Sequence, residues 1–409
     1  MALIVQKYGG SSVADAERIK NVARRIVTTR EKGNDVVVVV SAMGKTTDEL
    51  IRLAHQVTDR PDERELDVLL STGELISSTL LALALKSAGH KAISLSGAQA
   101  GIWTDAVYSQ ARILTVEGHR IVKELGEGKI VIVAGFQGIT HEMDVTTLGR
   151  GGSDTTAVAM AAILGAQACE IYTDVEGVYT ADPRFVTEAR RLTELGYEEM
   201  LELASQGAKV LHPRAVELGE LFDIPILVAS SFTEGPGTLI HGGVAMEVRN
   251  KVRGIVHDLN VAKVTVLGVP DQPGIATAIF EPLVKENISV DTIVQNASVE
   301  RVTDLTFTVA KSDLEKAMRV VEPAAKSISA RGCIADAKLC KVSIVGTGMQ
   351  NTPGYAARMF RALYEKGINI ELITTSEIRI TCIIDETRLE DALNALHQAF
   401  ELEKGEDGI

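Results

Sequence analysis

The 409-residue sequence lacks the features of secreted, membrane-spanning and metal-dependent proteins. Its four cysteines have neither C-x-x-C spacing nor the pattern of a disulfide framework, which fits a reducing cytoplasm. The amino terminus has no basic region followed by an apolar core, and no apolar run approaches the ~18 residues of a membrane span. The eight histidines are scattered without metal-ligand spacing. We therefore expect a soluble, cytoplasmic protein without a structural metal.

Positive charge is also scarce. The formal net charge of -13 argues against nucleic-acid binding and against binding to an anionic membrane surface. Hydrophobic residues make up 45% and charged residues 24%, as in ordinary globular proteins, and the length suggests two to four domains. An anionic substrate must therefore be held by local basic side chains.

Two common nucleotide-binding fingerprints are incomplete. Gly44-Lys45-Thr46 resembles the end of a P-loop, but Val39 stands where the first glycine is required. A dinucleotide fingerprint that begins at Gly149 lacks its third glycine, because Asp154 stands there. The sequence thus excludes a P-loop and disfavours a dehydrogenase.

Residues 146–156 are the strongest candidate for a ligand site. Three glycines surround Arg150 directly before an apolar helix predicted over residues 155–164. The glycines permit close backbone approach, and Ser153 or Asp154 is placed to cap the helix. The helix start and the guanidinium both attract phosphate or carboxylate. A tight strand-to-helix turn would explain the glycines but not Arg150.

The first 240 residues alternate between apolar strands and amphipathic or apolar helices. This alternation predicts a parallel sheet covered by helices on both faces. Strands are predicted at residues 2–8, 36–40, 92–96, 130–134, 170–173 and 226–228, and helices at 15–30 (capped by Ser11-Ser12), 47–57, 61–85 and 155–164.

An internal repeat follows residues 241–260, which resemble a linker. Residues 263–268 are echoed by residues 341–346, and each segment is followed by a Pro-Gly pair. Each copy is predicted to be a ferredoxin-like βαββαβ unit, over residues 261–335 and 336–409. Because a repeat this short buries little alone, the copies should pack together or against another chain.

Two charged side chains stand beside glycines. Lys7 ends an apolar strand before Gly9-Gly10, where it can meet a phosphate, although a solvated edge lysine is the alternative. Glu74 follows Gly73 in a long helix, and a glycine there costs ~1 kcal/mol relative to alanine. We therefore expect another segment to approach the helix closely, although an exposed glutamate remains open.

Two further segments have both functional and structural interpretations. Residues 172–184 leave a buried strand and form a turn-rich loop, which suits a ligand loop or an ordinary surface loop. His212 precedes Pro213, a pattern typical of a helix start, and we assign it no chemistry.

Five segments together resemble the aspartokinase family: residues 7–12, 40–44, 71–74, 147–156 and 172–175. The resemblance spans nearly the whole chain, and the repeats look like the paired ACT domains of feedback-regulated members. It implies an amino-acid-kinase fold over residues 1–240, with Tyr8 and Ser12 standing where many members have Phe and Thr. These two changes should not alter function.

The implied activity is ATP- and Mg²⁺-dependent phosphorylation of the side-chain carboxylate of L-aspartate. The product would be 4-phospho-L-aspartate, in the first step toward lysine, threonine and methionine. The chemistry needs no general base, because a carboxylate with a pKa near ~3.9 is already ionised at neutral pH. Phosphoryl transfer mainly needs positioning and charge neutralisation, which Lys7, the Gly9-Gly10 amides and Mg²⁺ would supply.

The resemblance also implies roles for individual residues. Arg150 would clamp the substrate α-carboxylate and Glu74 would face its ammonium. Asp154 would orient Lys7, bind substrate, or do both. The other substrate-pocket residues would be Thr47, Gly152 and Ser153. The nucleotide contacts would be Lys7, Gly9, Gly10, Ser11, Ser41, Thr173, Asp174, Tyr179, Asp182, Arg184, Lys209 and Val210.

Regulation is implied by the ACT pair. Threonine, lysine or both would inhibit by binding at the loop after the first strand of the repeat. A homodimer, or an α2β2 enzyme whose smaller subunit starts near Met246, is the implied assembly. The effector contacts would be Asp271, Pro273, Gly274, Ile275, Ala276 and Gln295, with Asn369 and Ile370 from the second repeat.

Two other functions compete with this interpretation. A kinase for glutamate or acetylglutamate would share the fold, but those families lack the double ACT tail. An amino-acid-sensing protein without activity is the second rival, and the intact Lys7, Arg150 and Asp154 argue against it.

Overall fold

The computed structural model describes residues 2–243, 252–296, 302–349 and 352–404, which form two compact units. The first unit contains Met1–Tyr179 and Arg191–Ala245, and the second contains Thr180–Arg190 and Met246–Ile409. Thr180–Arg190 therefore belongs to the second unit, whereas we expected the first 240 residues to form one domain. Met246, the candidate internal start, lies outside the described residues.

The first unit is built on an eight-stranded sheet and a smaller four-stranded sheet. Its strands are β1 (Leu3–Tyr8), β2 (Asp35–Val40), β3 (Ala92–Leu95), β4 (Ile102–Thr104), β5 (Ile113–Val116), β6 (Ile130–Ala134), β7 (Gln137–Ile139), β8 (Val145–Thr147), β9 (Ala168–Thr173), β10 (Glu194–Leu195), β11 (Ile226–Ser230) and β12 (Thr238–Ile240). The large sheet has the order β10-β12-β11-β9-β1-β2-β6-β3, and the small sheet has the order β5-β4-β7-β8. Every pair in the large sheet is parallel except β11 with β12. The fold is the expected α/β class.

Helices cover both faces of the large sheet. They are α1 (Ala16–Glu31), α2 (Thr46–Val57), α3 (Glu63–Ser87), α4 (His119–Gly126), α5 (Gly152–Leu164), α6 (Tyr197–Ser205) and α7 (Pro213–Leu221). Along β2, Val36, Val38 and Val40 pack in one core with α1 and α3. Because side chains alternate along a strand, Val37 and Val39 are buried on the opposite face, where α5 contacts the sheet.

Two helix starts differ from the sequence prediction. Asp15 caps α1 by accepting a hydrogen bond from the Arg18 N–H, while Ser11-Ser12 lie in a preceding 3-10 turn. The cap of α5 is Gly151, so Ser153 and Asp154 stand in the first turn of the helix. Glycine is favoured there because φ is 69°, and Asp154 is left free to meet another group.

The helix α3 is the longest in the described chain, and its length and composition alone would suffice to cross a membrane. Its apolar window is 50% buried inside the structure. Its buried face also carries two carboxylates, Asp67 and Glu74. These are properties of a core helix.

The second unit contains one antiparallel six-stranded sheet and four α-helices in its described part. Its strands are β13 (Gly254–Pro270), β14 (Ile293–Gln295), β15 (Val302–Val309), β16 (Gly332–Val345), β17 (Leu372–Thr375) and β18 (Arg379–Asp385), and its helices are α8 (Ile275–Lys285), α9 (Leu314–Ser327), α10 (Tyr355–Glu365) and α11 (Leu389–Ala399). The strand order β14-β15-β13-β16-β18-β17 places the two repeats side by side.

The two central strands are shared between the repeats. Residues 261–270 of β13 pair with β15 and with the start of β16, completing the first repeat. Residues 254–258 pair instead with the second half of β16 and supply the outer strand of the second repeat. The structure therefore differs from the expected linker over residues 241–260, because its end forms part of the sheet.

The inserted segment Thr180–Arg190 is bound into the core of the second repeat. Thr180 Oγ1 lies 2.9 Å from His397 Nε2, and Asn394 Nδ2 donates to the Phe185 carbonyl at 3.0 Å. Ala181 and Val186 are buried in the same core as α10 and α11. Polar and apolar contacts together hold this segment to the second unit.

Candidate active site

The candidate site lies at the carboxyl ends of the adjacent parallel strands β9, β1 and β2. Lys7 pairs in register with Val39 on one side and Ile171 on the other. The segments that begin at Gly9, Ser41 and Asp174 therefore leave the same edge of the sheet. Ligands of open α/β sheets bind at this edge.

Lys7 and Asp154 form a buried ion pair. Lys7 Nζ lies 2.6 Å from Asp154 Oδ1, and the two side chains are only 10% and 13% exposed. Lys7 is therefore not a solvated edge lysine. The pair joins β1 to the first turn of α5, so a single contact aims an ammonium group and fixes the helix start beside it.

In the glycine turn after β1, one of the two backbone N–H groups expected to bind phosphate is already used in a hydrogen bond within the fold. The Gly9 N–H donates to the Tyr172 carbonyl at 3.1 Å, so it is not free for a phosphate, contrary to the expectation for both amides. Gly10 and Ser11 begin the 3-10 turn, where N–H groups point out of the helix end. Their amides, and not that of Gly9, suit an anion.

Glu74 is buried on α3 and faces the segment after β2. Its side chain is 3% exposed, and Oε1 accepts a hydrogen bond from the Ala42 N–H at 3.0 Å. Oε2 has no hydrogen-bond partner among the described residues. Burial raises the pKa of Glu74 to about 7, against the lowering effect of the Ala42 N–H. The exposed-glutamate alternative is therefore wrong.

The close approach predicted at Gly73 is present. A Cβ atom at this position would lie 2.8 Å from Ala42 Cβ. Only a glycine allows α3 to come this near to the segment after β2, and that closeness brings the Ala42 N–H to Glu74.

Arg150 stands free next to a tightly held backbone. It is exposed and has no hydrogen bond or ion pair in the part of the chain that the structure describes. The next residue, Gly151, has φ 69°, and a Cβ there would lie 2.2 Å from His212 Cγ. The backbone at Gly151 is therefore fixed while the Arg150 guanidinium remains available.

His212 has a structural role at the start of α7, as the sequence indicated. Its Nδ1 accepts a hydrogen bond from the Arg214 N–H at 3.3 Å, and Pro213 begins the helix. Burial lowers the pKa of His212, and the charge of Asp154 opposes that shift. The ring therefore favours its neutral form, packed against the glycine segment.

The other substrate candidates lie in the first turns of α5 and α2. Ser153 is buried in the first turn of α5, where a Cβ on Gly135 would lie 3.0 Å from its side chain. Gly152 is buried at the start of α5, and Thr47 is half-buried in the first turn of α2.

The nucleotide candidates are divided between the two units. Six further candidates belong to the first unit: Ser41, Thr173, Asp174, Tyr179, Lys209 and Val210. Asp174 and Lys209 are exposed, and Tyr179 donates to Glu176 Oε2 at 3.2 Å. Asp182 and Arg184 belong to the second unit, where Arg184 Nη2 lies 2.6 Å from Asp182 Oδ2.

Two carboxylates that were not predicted from the sequence, Glu176 and Asp67, hold segments of the candidate site by hydrogen bonds. Glu176 accepts hydrogen bonds from Tyr179 and, at 3.4 Å, from the Thr233 hydroxyl. Asp67 is fully buried and accepts hydrogen bonds from Ser109 and Thr147. Asp67 and Glu74 are seven residues apart in α3, a spacing that puts both carboxylates on its buried face.

The effector candidates are divided between the two repeats of the second unit. Asp271 follows β13 and Gln295 ends β14, and both are exposed near one end of the first repeat. Pro273 and Gly274 precede α8, which begins with Ile275 and Ala276. Asn369 and Ile370 precede β17 at the far edge. The residue after Ile370 is Glu371, whose Oε2 lies 2.6 Å from Lys263 Nζ of β13, so an ion pair joins the two repeats there.

No cluster of three or more His, Cys, Asp or Glu side chains suited to a metal ion occurs within the described residues. The four cysteines are free thiols.

The chain is similar to known proteins along its whole length. Residues 2–230 match the model of the amino acid kinase family, and residues 264–324 and 342–400 match that of the ACT domain. An aspartokinase of Bacillus sp. (strain MGA3) is 50% identical over 402 residues, which cover 98% of each chain.

Two crystal structures of E. coli aspartokinase III share the fold at 25% identity, covering 97% of this chain and 99% of the other. The complex with aspartate and ADP (R-state) gives a TM-score of 0.81, and the complex with lysine and aspartate (T-state) gives 0.76. The chain therefore belongs to the amino acid kinase family, among the aspartokinases, with a kinase domain followed by ACT domains.

Proposed function

We propose that this enzyme transfers the γ-phosphoryl group of ATP to the side-chain carboxylate of L-aspartate, giving 4-phospho-L-aspartate and ADP. The observation that carries the proposal is the buried Lys7–Asp154 pair at the strand ends, together with the free guanidinium of Arg150 in the turn before α5. The binding of aspartate and ADP by E. coli aspartokinase III supports the same substrates here.

Lys7 would neutralise charge on the phosphoryl group during transfer. Asp154 holds the ammonium group of Lys7 in place by the 2.6 Å contact, so little reorganisation is needed as charge moves to the leaving oxygen. The Gly10 and Ser11 amides add donors at the same strand end. The acceptor carboxylate is already ionised at neutral pH, so no proton has to be removed.

Arg150 and Glu74 would bind the two charged groups of the substrate backbone. The planar guanidinium matches the α-carboxylate, and the unpaired Glu74 Oε2 can accept a hydrogen bond from the ammonium. Thr47, Gly152 and Ser153 would complete the pocket, and Asp154 would act through Lys7. The side-chain carboxylate then points to the phosphoryl donor.

ATP would bind with Mg²⁺ along the segments that follow β1, β2 and β9. Mg²⁺ is usually held by substrate phosphates and one or two carboxylates, which fits the exposed Asp174 better than a protein cage. The proposed nucleotide contacts in the first unit include Ser41, Thr173, Asp174, Tyr179, Lys209 and Val210.

A hydroxamate assay tests the proposed reaction. Incubation with ATP, Mg²⁺, aspartate and hydroxylamine should give aspartyl hydroxamate, because hydroxylamine traps an acyl phosphate. The same mixture with glutamate or N-acetylglutamate should give little product. Product from glutamate but not aspartate would establish the rival kinase, and no product from any acceptor would favour a sensing protein.

The same proposal includes feedback control at the ACT repeats, with threonine, lysine or both as effectors. Lysine bound to E. coli aspartokinase III supports an amino-acid effector. Asn369–Ile370 would come to the Asp271 loop from the partner repeat, in the same chain or in a second chain. A homodimer, or an α2β2 enzyme with a subunit started near Met246, would provide this second chain.

We propose that the reaction takes place in the cytoplasm and is the first step toward lysine, threonine and methionine. Mass spectrometry of the native protein tests the internal start. A second chain beginning at or near Met246 would support the α2β2 form, and its absence would leave the homodimer.

A further inference from the structure

The fully buried carboxylate of Asp67 forms hydrogen bonds with the backbone segment that leads to Arg150. Asp67, on α3, has no exposed surface. Its Oδ2 accepts hydrogen bonds from the Thr147 N–H at 2.8 Å and the Ser109 N–H at 2.9 Å. Its Oδ1 accepts from the Thr147 hydroxyl at 2.6 Å and the Ser109 hydroxyl at 3.4 Å. One carboxylate thus fixes two separate segments of chain.

Both segments lie directly against the substrate clamp. Thr147 is three residues before Arg150, at the end of β8. The Ser109 carbonyl would lie 3.0 Å from a Cβ on Gly149, and the Ala111 N–H donates to the Thr147 carbonyl at 2.9 Å. A shift at Asp67 is therefore transmitted through one layer of contacts to the glycine segment.

The geometry of Ser109 shows that this contact holds an unfavourable conformation. Ser109 has φ 65°, in the left-handed region that non-glycine residues rarely occupy. Such a conformation persists where the surroundings over-determine it, and Asp67 accepts both the N–H and the hydroxyl of this residue.

Asp67 and Glu74 are on the same helix, seven residues apart, which corresponds to about two turns or about 10 Å. Glu74 meets the segment after β2 through the Ala42 N–H, while Asp67 meets the segment before Arg150. The helix therefore fixes the separation between the proposed ammonium partner and the proposed carboxylate partner of the substrate.

We propose that Asp67 is a positioning residue for aspartate binding, which sets the place of Arg150 relative to Glu74 through Thr147 and Ser109. It does not touch substrate. The inference rests on the proposed function, since it assigns Asp67 to the clamp that holds aspartate. Arg214 supports the same segment from α7, through hydrogen bonds to the Leu148 and Ala111 carbonyls at 2.8 and 3.1 Å.

The test compares Asp67→Ala with Asp67→Asn. Asp67→Ala leaves four donors without their acceptor, so KM for aspartate should rise about tenfold or more, because small misplacements of positioning groups are costly. KM for ATP should stay within about twofold and kcat within about threefold. The amide of Asp67→Asn can accept from both N–H groups and donate to both hydroxyls, so it should restore KM to within about threefold of wild type.

A matched pair of threonines separates positioning from stability. Thr147→Val removes a hydroxyl that bonds to Asp67, whereas Thr146→Val removes one that bonds to Thr104 at 2.6 Å. Both residues are buried. Both variants should lower the melting temperature, but only Thr147→Val should raise KM for aspartate. The pair also tests the proposal if Asp67→Ala does not fold.

Three results would overturn the positioning role. They are an unchanged KM in Asp67→Ala or Thr147→Val, an equal rise in Thr146→Val, and a failure of Asp67→Asn to restore KM. Wild-type enzyme that makes no aspartyl hydroxamate would instead refute the proposed function, so the two failures are distinguishable.

Discussion

Lys7 Nζ lies 2.6 Å from Asp154 Oδ1, and both side chains are almost completely withdrawn from solvent. Because the pair connects a central strand to the first turn of α5, it holds an ammonium group at the strand end where we propose that phosphoryl transfer takes place. The first prediction is based on the contact between Lys7 and Asp154.

Lys7→Ala should lower kcat by at least ~10²-fold with a smaller effect on the KM for aspartate and ATP, since its electrostatic contact matters most in the transition state. Steady-state kinetics in the hydroxamate assay measure both constants. A variant that keeps more than about a tenth of wild-type kcat would remove Lys7 from the mechanism.

Arg150→Lys should mainly raise the KM for aspartate. The change keeps the positive charge but replaces a planar, bidentate fork with a point charge. KM for ATP serves as the internal control and should not change. Unchanged aspartate affinity would refute the clamp.

Aspartate binding should weaken as the pH falls below 7. Burial raises the pKa of Glu74 from 4.5 to about 7, and only the ionised carboxylate attracts the substrate ammonium. The KM for aspartate should therefore rise about tenfold for each pH unit below 7 in wild type. Glu74→Gln should have a high KM with a flatter pH dependence, and a pH-independent wild-type KM would contradict the role.

The same ionisation affects stability in the opposite direction. Because the folded-state pKa of Glu74 is higher than its unfolded value, the folded protein binds the proton more tightly. The group therefore destabilises the fold above pH 7, and the penalty is relieved as the pH falls from 7 toward 4.5. Glu74→Gln should be more stable than wild type at pH 8, as thermal unfolding would measure.

Gly73→Ala should reduce both stability and activity. The new Cβ would lie 2.8 Å from Ala42 Cβ, so the segment after β2 has to move away from α3. Gly126→Ala, at the end of α4, meets nothing within 4 Å and is the matched control. An active Gly73→Ala with a raised melting temperature would show that alanine's better helix propensity prevails.

Asp271→Ala or Gln295→Ala should relieve inhibition by threonine, lysine or both. Uninhibited kcat should stay within about threefold, since neither residue belongs to the pocket around Arg150. A typical coupling of 1–3 kcal/mol corresponds to roughly 5–150-fold inhibition. If neither amino acid inhibits at millimolar concentration, or if these changes abolish catalysis, the regulatory assignment is wrong.

The sequence predicted the elements whose signal is local. The strand that contains Lys7 and the glycines around Arg150 could be located by residue type and spacing alone. The same is true of Gly73, because a glycine inside a long helix implies a close neighbour. Its neighbour, the segment at Ala42, also belongs to a recognisable motif.

Features that depend on distant partners were not predictable in this way. Asp67 carries no motif of its own, because its four donors come from Ser109 and Thr147, 42 and 80 residues away. The segment Thr180–Arg190 overlaps the end of the candidate ligand loop, residues 172–184, yet it forms hydrogen bonds with His397 and Asn394 of α11. A local sequence pattern gives no information about contacts between residues that are so far apart in the chain.

Because the two central strands are shared, a gene fragment that encodes only the second ACT repeat would not encode a complete sheet. A fragment beginning at residue 336 would carry β17, β18, α10 and α11 but would lose residues 254–258. Residues 341–345 of β16 would then present unpaired N–H and carbonyl groups, and an uncovered strand edge promotes aggregation. A fragment that begins upstream of residue 254 keeps every strand of this sheet, so a soluble regulatory piece has to include both repeats.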